Sequence, residues 1–211
     1  MCFKLSIGSA EEIKMTIYDL KPKFQALLRP IVKVLHQKGI TPNQVTWAAL
    51  FLSALMGGLL AWTEGAAWTL LLVPLVMFIR MAMNAIDGIL AKEFDMKTDA
   101  GAILNEMSDV IADALLYLPL AFVSGVSAVW VVLFVIVGIL TEMAGVLAQV
   151  ISKERRYDGP MGKSDRAFVF GLIALLLGLG LPAGWWVDTL LIITTLMGLL
   201  TVIRRSKGAL S

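Results

Sequence analysis

Arg80, Asn84 and Asp87 fall at i, i+4 and i+7, and Gly101, Asn105, Asp109 and Asp113 follow at intervals of four. On helices each set occupies a single face, so the chain carries two polar stripes. Asn84, Asp87, Asn105 and Asp109 make an all-oxygen cluster. Hard cations such as Mg²⁺ or Mn²⁺ prefer such donors. Glu106 lies one position off the second stripe, and Glu142 adds a later acid. The only histidine is His36 and the only cysteine is Cys2. Neither suggests zinc, copper or haem, and no intrachain disulfide can form. His36 reads as an interfacial residue.

These charges are set in strongly apolar sequence. Of 211 residues, 58% are hydrophobic and 16% charged, with a mean hydropathy of +0.82. Soluble domains are about 45–50% apolar and about 25% charged. An ordinary soluble enzyme, a disordered tail and a fibrous repeat are excluded, and an integral membrane protein remains. The net charge of +2 gives no argument for nucleic acid. A helical span needs about 20 apolar residues. Six stretches qualify, at residues 44–62, 66–90, 99–123, 128–151, 166–182 and 185–203. The stripes fall in the second and third. A charge at the bilayer centre costs about 3 kcal/mol on insertion scales, so the two stripes are expected to face each other as walls of one polar cavity. With a rise of about 1.5 Å per residue, Asp87 comes level with Asn105, Asn84 with Asp109, and Arg80 with Asp113. The last two are expected to form a buried ion pair, with metal ligation by Asp113 as the alternative.

The basic residues set the orientation. Of 18 Lys and Arg, all but Arg80 fall in the N-terminal segment, the 91–98 loop, the 152–166 loop or the C-terminal tail. Those segments are expected in the cytoplasm, with both termini inside. Residues 17–38 place Phe24, Leu27, Leu28, Ile31 and Leu35 on one face and Lys23, Arg29 and Lys33 on another. They read as an amphipathic helix in the cytoplasmic interface, which Pro30 should kink or split. Residues 1–16 read as a polar extension with no cleavable signal peptide, and Met15 could be an alternative start. The fold expected is therefore all-α, with six transmembrane helices plus an N-terminal amphipathic interfacial helix, the membrane domain covering 40–205. Thr41 reads as an N-cap with Pro42 at the first helical position. The loop around Arg155, Arg156, Lys163 and Arg166 either binds an anionic group on a substrate or enforces topology and touches anionic lipid. Gly159, Pro160 and Gly162 favour a shaped turn there.

The stretch from Asn84 to Asp109 resembles the signature of the CDP-alcohol phosphotransferases, D-x2-D-G-x2-A-R-x8-G-x3-D-x3-D. Asp87, Gly88, Ala91, Gly101 and Asp109 match at every spacing, while Asn84, Lys92 and Asn105 depart from it. The resemblance implies a bacterial inner-membrane enzyme of six spans in phospholipid biosynthesis. An acceptor hydroxyl attacks the β-phosphorus of a CDP-linked donor such as CDP-diacylglycerol, and CMP leaves. The resemblance implies two divalent ions on the signature's four acidic positions. Carried over by position, Asn84, Asp87, Asn105 and Asp109 would hold Mg²⁺ or Mn²⁺, the second ion more weakly unless Asp113, Glu106 or Glu142 helps, and Asp109 would take the proton. Gly88 would let the donor approach the backbone. Pro42, Asn43, Thr46, Lys92 and Thr98 would contact the CDP moiety. Arg155, Arg156, Lys163 and Arg166 would meet an anionic acceptor, with Gly162 and Lys163 echoing a Gly-Lys element of the family. A homodimer and membrane-lipid partners are also implied, with no nucleic acid.

The departures leave three readings open. The chain is a transferase with altered metal use, a family fold that binds CDP-lipid without turnover, or a transporter of lipid or solute. The last is disfavoured, because the charges cluster toward one side and the halves do not repeat.

Overall fold

The computed structural model describes the backbone of residues 17–210 and the side chains of residues 23–210. The polar extension at 1–16, with Cys2 and Met15, lies outside the described residues. Among those described, seven α-helices follow one another and there is no strand. They are α1 (Ile17–Gln37), α2 (Pro42–Trp62), α3 (Ala67–Glu93), α4 (Asp99–Tyr117), α5 (Ala128–Ser152), α6 (Lys163–Gly178) and α7 (Trp185–Leu210).

Four of these, α2, α3, α5 and α7, are long and apolar enough to cross a membrane. α4 and α6 fall short of that standard for different reasons. α4 carries Asp99, Glu106, Asp109 and Asp113 within its 19 residues. α6 is 16 residues long. The third expected span, 99–123, is α-helical only to Tyr117. Pro119 has no N–H to donate, and a 3-10 segment, Leu118–Phe122, takes over. The fifth begins at Lys163 and ends at Gly178 rather than running from 166 to 182. Pro30 does not split α1, which stays helical through Gln37.

Local chemistry explains where helices start. Thr41 caps α2: its hydroxyl accepts from the Gln44 N–H, and the Gln44 side chain accepts from the Thr41 N–H at 2.9 Å. Pro42 fills the first turn, where a missing donor costs nothing. Thr98 caps α4 by accepting from the Gly101 N–H at 3.0 Å. The two caps lie side by side. A Cβ on Gly101 would come within 2.8 Å of Asn43 Oδ1 and 2.9 Å of Thr98 Oγ1, so a larger residue would have to displace the Asn43 side chain or the capping hydroxyl.

The connections fall into two groups. Residues 41–43 adjoin 95–98. Arg205 near the end of α7 donates to the Asp158 carbonyl of the 153–162 loop at 3.1 Å. At the opposite end Gly65 abuts Val123, Gly125 abuts Ala183, and the Ser127 N–H donates to Asp188 at 3.0 Å. All the basic loops thus belong to the first group.

Within the bundle, α5 packs along α7, α2 along α3 and α4, and α3 along α6. Leu60, Val73, Leu116, Phe134, Phe170 and Val187 form a fully closed apolar core in the half away from the basic loops. α1 lies on α3 through Leu28, Val32, Ile86 and Leu90. Arg29 pairs with Glu93 at 3.0 Å, and His36 stacks on Phe94 at 3.9 Å. Phe51, Leu55, Phe78, Ile111 and Ile136 point outward and exposed. A continuous apolar exterior of that kind belongs in lipid.

Candidate functional site

The two stripes face each other. The Asn84 amide on α3 donates to Asp109 Oδ1 on α4 at 3.0 Å, and one turn deeper Arg80 Nη2 meets Asp113 Oδ1 at 2.6 Å. Two of the three expected levels are thereby realised. Arg80 also donates to the Asp109 carbonyl at 3.2 Å, so one guanidinium holds the backbone as well as the side chain of α4.

α2 supplies a third wall. Buried Thr46 donates its hydroxyl to Asp87 Oδ2 at 2.9 Å while also reaching the Pro42 carbonyl at 3.1 Å. This fixes the rotamer of a buried carboxylate. Asp87 lies within electrostatic range of Asp109 and Lys163. A Cβ on Gly88 would meet nothing within 4 Å, so there is open room beside Asp87. Asn105 is half-buried, one helical turn before Asp109. Pro42, Asn43, Thr98 and Lys97 line a cavity of about 320 Å³ between the starts of α2 and α4. Lys92 is exposed at the end of α3.

α6 contributes the fourth wall. Lys163, its first residue, forms an ion pair with Asp109 Oδ1. Arg166 is 3% exposed, donates to Thr141 Oγ1 at 2.6 Å and pairs with Glu142 Oε1 at 2.9 Å. Arg155 bridges Glu106 and Glu142, the latter at 3.3 Å, and lies over the Tyr157 ring. Arg156 turns the other way and donates to the Gly208 carbonyl near the end of α7, where a cation complements the helix terminus. The four basic residues thus have different jobs. Lys163, Arg155 and Arg166 join the polar cavity, whereas Arg156 holds α7. The loop between them is shaped, as its glycines imply. Gly159 adopts φ 123°, and the Met161 N–H donates to Thr201 Oγ1 at 2.9 Å.

One participant was missed from the sequence. Arg205 is 3% exposed, donates to the Thr141 carbonyl at 2.6 Å and lies 3.8 Å from Glu142. It follows Thr194 and Thr201 on the buried face of α7, and that polar file was the signal. Glu106, Glu142 and Asp113, the acids that could have supplemented a metal site, are all engaged by arginine. Four guanidinium groups, on Arg80, Arg155, Arg166 and Arg205, share these three carboxylates. That leaves the deep network with one positive charge in excess.

Among the described residues no three Asp, Glu, His or Cys converge as a metal cluster. The oxygen donors of Asp87, Asp109, Asn84 and Asn105 are nevertheless of the kind hard cations take, and a Cβ on Gly88 would meet nothing within 4 Å.

A family model described as CDP-alcohol phosphatidyltransferase matches residues 39–203. The Escherichia coli (strain K12) inner membrane protein YnbA is 46% identical over 196 residues, covering 93% of this chain and 97% of YnbA. An uncharacterized protein of Aquifex aeolicus (strain VF5) is 34% identical over 96 residues, 46% of each chain. Among solved structures, Mycobacterium tuberculosis phosphatidylinositol phosphate synthase, PgsA1, with CDP-DAG bound superposes with a TM-score of 0.73 at 17% identity. That likeness covers 86% of this chain and 92% of PgsA1. The same enzyme with manganese and citrate also gives 0.73 at 17% identity, over 86% and 88% of the two chains. At that identity the likeness establishes the fold.

Proposed function

The chain belongs to the CDP-alcohol phosphatidyltransferase family, and on that premise we propose that it transfers a phosphatidyl or phospho-alcohol group from a CDP-linked donor to an acceptor hydroxyl, in phospholipid biosynthesis. The observation that carries this reading is the clamp of Asn84 on Asp109 across from Thr46 on Asp87, at signature spacing. The acceptor oxygen forms a bond to the β-phosphorus, the bond to the CMP oxygen breaks, and the hydroxyl proton passes to Asp109. Asn84 and Lys163 both engage Oδ1 of Asp109, which leaves Oδ2 to receive it. Asp87, Asp109, Asn84 and Asn105 would hold Mg²⁺ or Mn²⁺. Such an ion neutralises the pyrophosphate and stabilises the leaving oxygen.

The cavity lined by Pro42, Asn43 and Thr98 receives the cytidine end, with Lys92 beside the phosphates. Gly88 presents bare backbone to the donor. Thr46 acts by orienting Asp87. The excess positive charge around Arg155, Arg166 and Arg205 draws an anionic acceptor, with Lys163 at its edge. α2 to α7 form six crossings, two of them through the shorter or more polar α4 and α6, and α1 rides on the cytoplasmic face. Both termini are cytoplasmic, the membrane is a bacterial inner membrane, and the enzyme works as a homodimer.

Purified protein in lipid nanodiscs, given CDP-diacylglycerol, Mg²⁺ or Mn²⁺ and a panel of alcohols and phospho-alcohols, should release CMP with one of them. Tight CDP-diacylglycerol binding with no CMP release across the panel would establish the non-catalytic reading instead.

A further inference from the structure

The ion count at this site does not follow from the signature. Of its four acidic positions two are occupied by asparagine, and Asn84 and Asn105 offer carbonyl oxygens without charge. The neighbouring acids are not in reserve, since Asp113, Glu106 and Glu142 are all paired with arginine. Only Asp87 and Asp109 remain, and Asp109 already carries a cation. Lys163 stands at the first turn of α6, where the helix macrodipole disfavours a positive side chain. Its ion pair with Asp109 offsets that cost.

From these contacts we infer that the site holds one divalent cation, and that the Lys163 ammonium takes the place of a second. This rests on the proposed transferase reading and deepens it. A pyrophosphate carries about two negative charges. With Asp87 and Asp109 it brings about four negative charges, which one divalent ion, the Lys163 ammonium and the single positive charge in excess on the neighbouring arginine network together balance. A second divalent ion would leave the pocket with net positive charge and would compete with an ammonium already seated on its carboxylate. Lysine suits the role because it is a compact point charge with three donors. It can contact the pyrophosphate and Asp109 at once.

The test is a count of bound Mn²⁺ by electron paramagnetic resonance and elemental analysis, on the full chain in nanodiscs with and without CDP. Wild type should saturate at about one Mn²⁺ per chain. A triple variant, Asn84→Asp, Asn105→Asp and Lys163→Gln, should saturate at about two. Lys163→Gln alone should bind Mn²⁺ at least ~10-fold more tightly without nucleotide, since a repelling charge is removed, and CDP more weakly. Two ions per wild-type chain, none, or an unchanged Mn²⁺ affinity in Lys163→Gln would overturn the inference. CMP release measured on the same samples separates the two claims. Two ions with turnover refutes the one-ion site and spares the transferase. One ion with no turnover on any acceptor does the reverse.

Discussion

Gly57 is where α2 crosses α4, and the crossing sets the distance between two walls of the site. A Cβ built on Gly57 falls onto the Leu115 carbonyl, with the carbonyl carbon 2.9 Å away. Carbon atoms in ordinary contact stand about 3.5–4.0 Å apart. Gly57→Ala therefore forces the helices apart by roughly 1 Å or unseats Leu115. Thr46 rides on α2 and Asp109 on α4, so the displacement reaches both the Thr46–Asp87 bond and the proposed base. Overpacking costs about 1–3 kcal/mol, and a 1 Å misplacement near reacting groups can cost about 100-fold in rate. The assay is CMP release from CDP-diacylglycerol beside thermal unfolding in detergent. Gly58→Ala is the control. Its Cβ would meet nothing within 4 Å, and alanine favours helix by up to about 1 kcal/mol. Gly57→Ala should lose most activity and some stability, and Gly58→Ala neither. Equal behaviour of the two would refute the claim that this crossing fixes the site.

Asp113→Leu leaves Arg80 buried without its main partner and should cost about 3–5 kcal/mol in thermal unfolding, whereas Arg80→Leu with Asp113→Leu should recover much of it. Thr46→Val removes the 2.9 Å hydrogen bond to Asp87. A bond to a charged group is worth about 1.5–3 kcal/mol, so CMP release should fall by roughly 10-fold or more while Thr46→Ser stays near wild type. Chelation by EDTA should abolish CMP release, and Mg²⁺ or Mn²⁺ should restore it; turnover that survives chelation would remove the metal from the reaction. Asp109→Asn should lose turnover while retaining CDP binding, and full activity in that variant would take Asp109 out of the base role.

The stripes were readable because period and cost point the same way. Polar residues at four-residue spacing inside an apolar span have to share a face and find partners, and the Asn84–Asp109 and Arg80–Asp113 contacts follow from counting turns. Thr41 and Pro42 declared the start of α2 equally plainly. The roles of the basic loop could not be read, since Arg155, Arg156, Lys163 and Arg166 are alike in sequence. What separates them is which carboxylate or carbonyl α4, α5 and α7 bring near each, and that is fixed only by tertiary packing. Arg205 was hidden by its place in a basic tail, where charge alone suggests topology. The early end of α4 was signalled by Pro119, but Leu118, Leu120 and Phe122 kept the apolar count high across the break.

The polar network stops short of the far end of the bundle. Beyond Asp113, Arg80, Glu142 and Arg166, their helices close the bundle with Leu116, Val73, Val135 and Phe170, all buried at 5% exposure or less. The crevice thus ends against packed side chains. Under the proposed membrane crossing, this closed inner end leaves the charged crevice a single mouth, on the side of the basic loops.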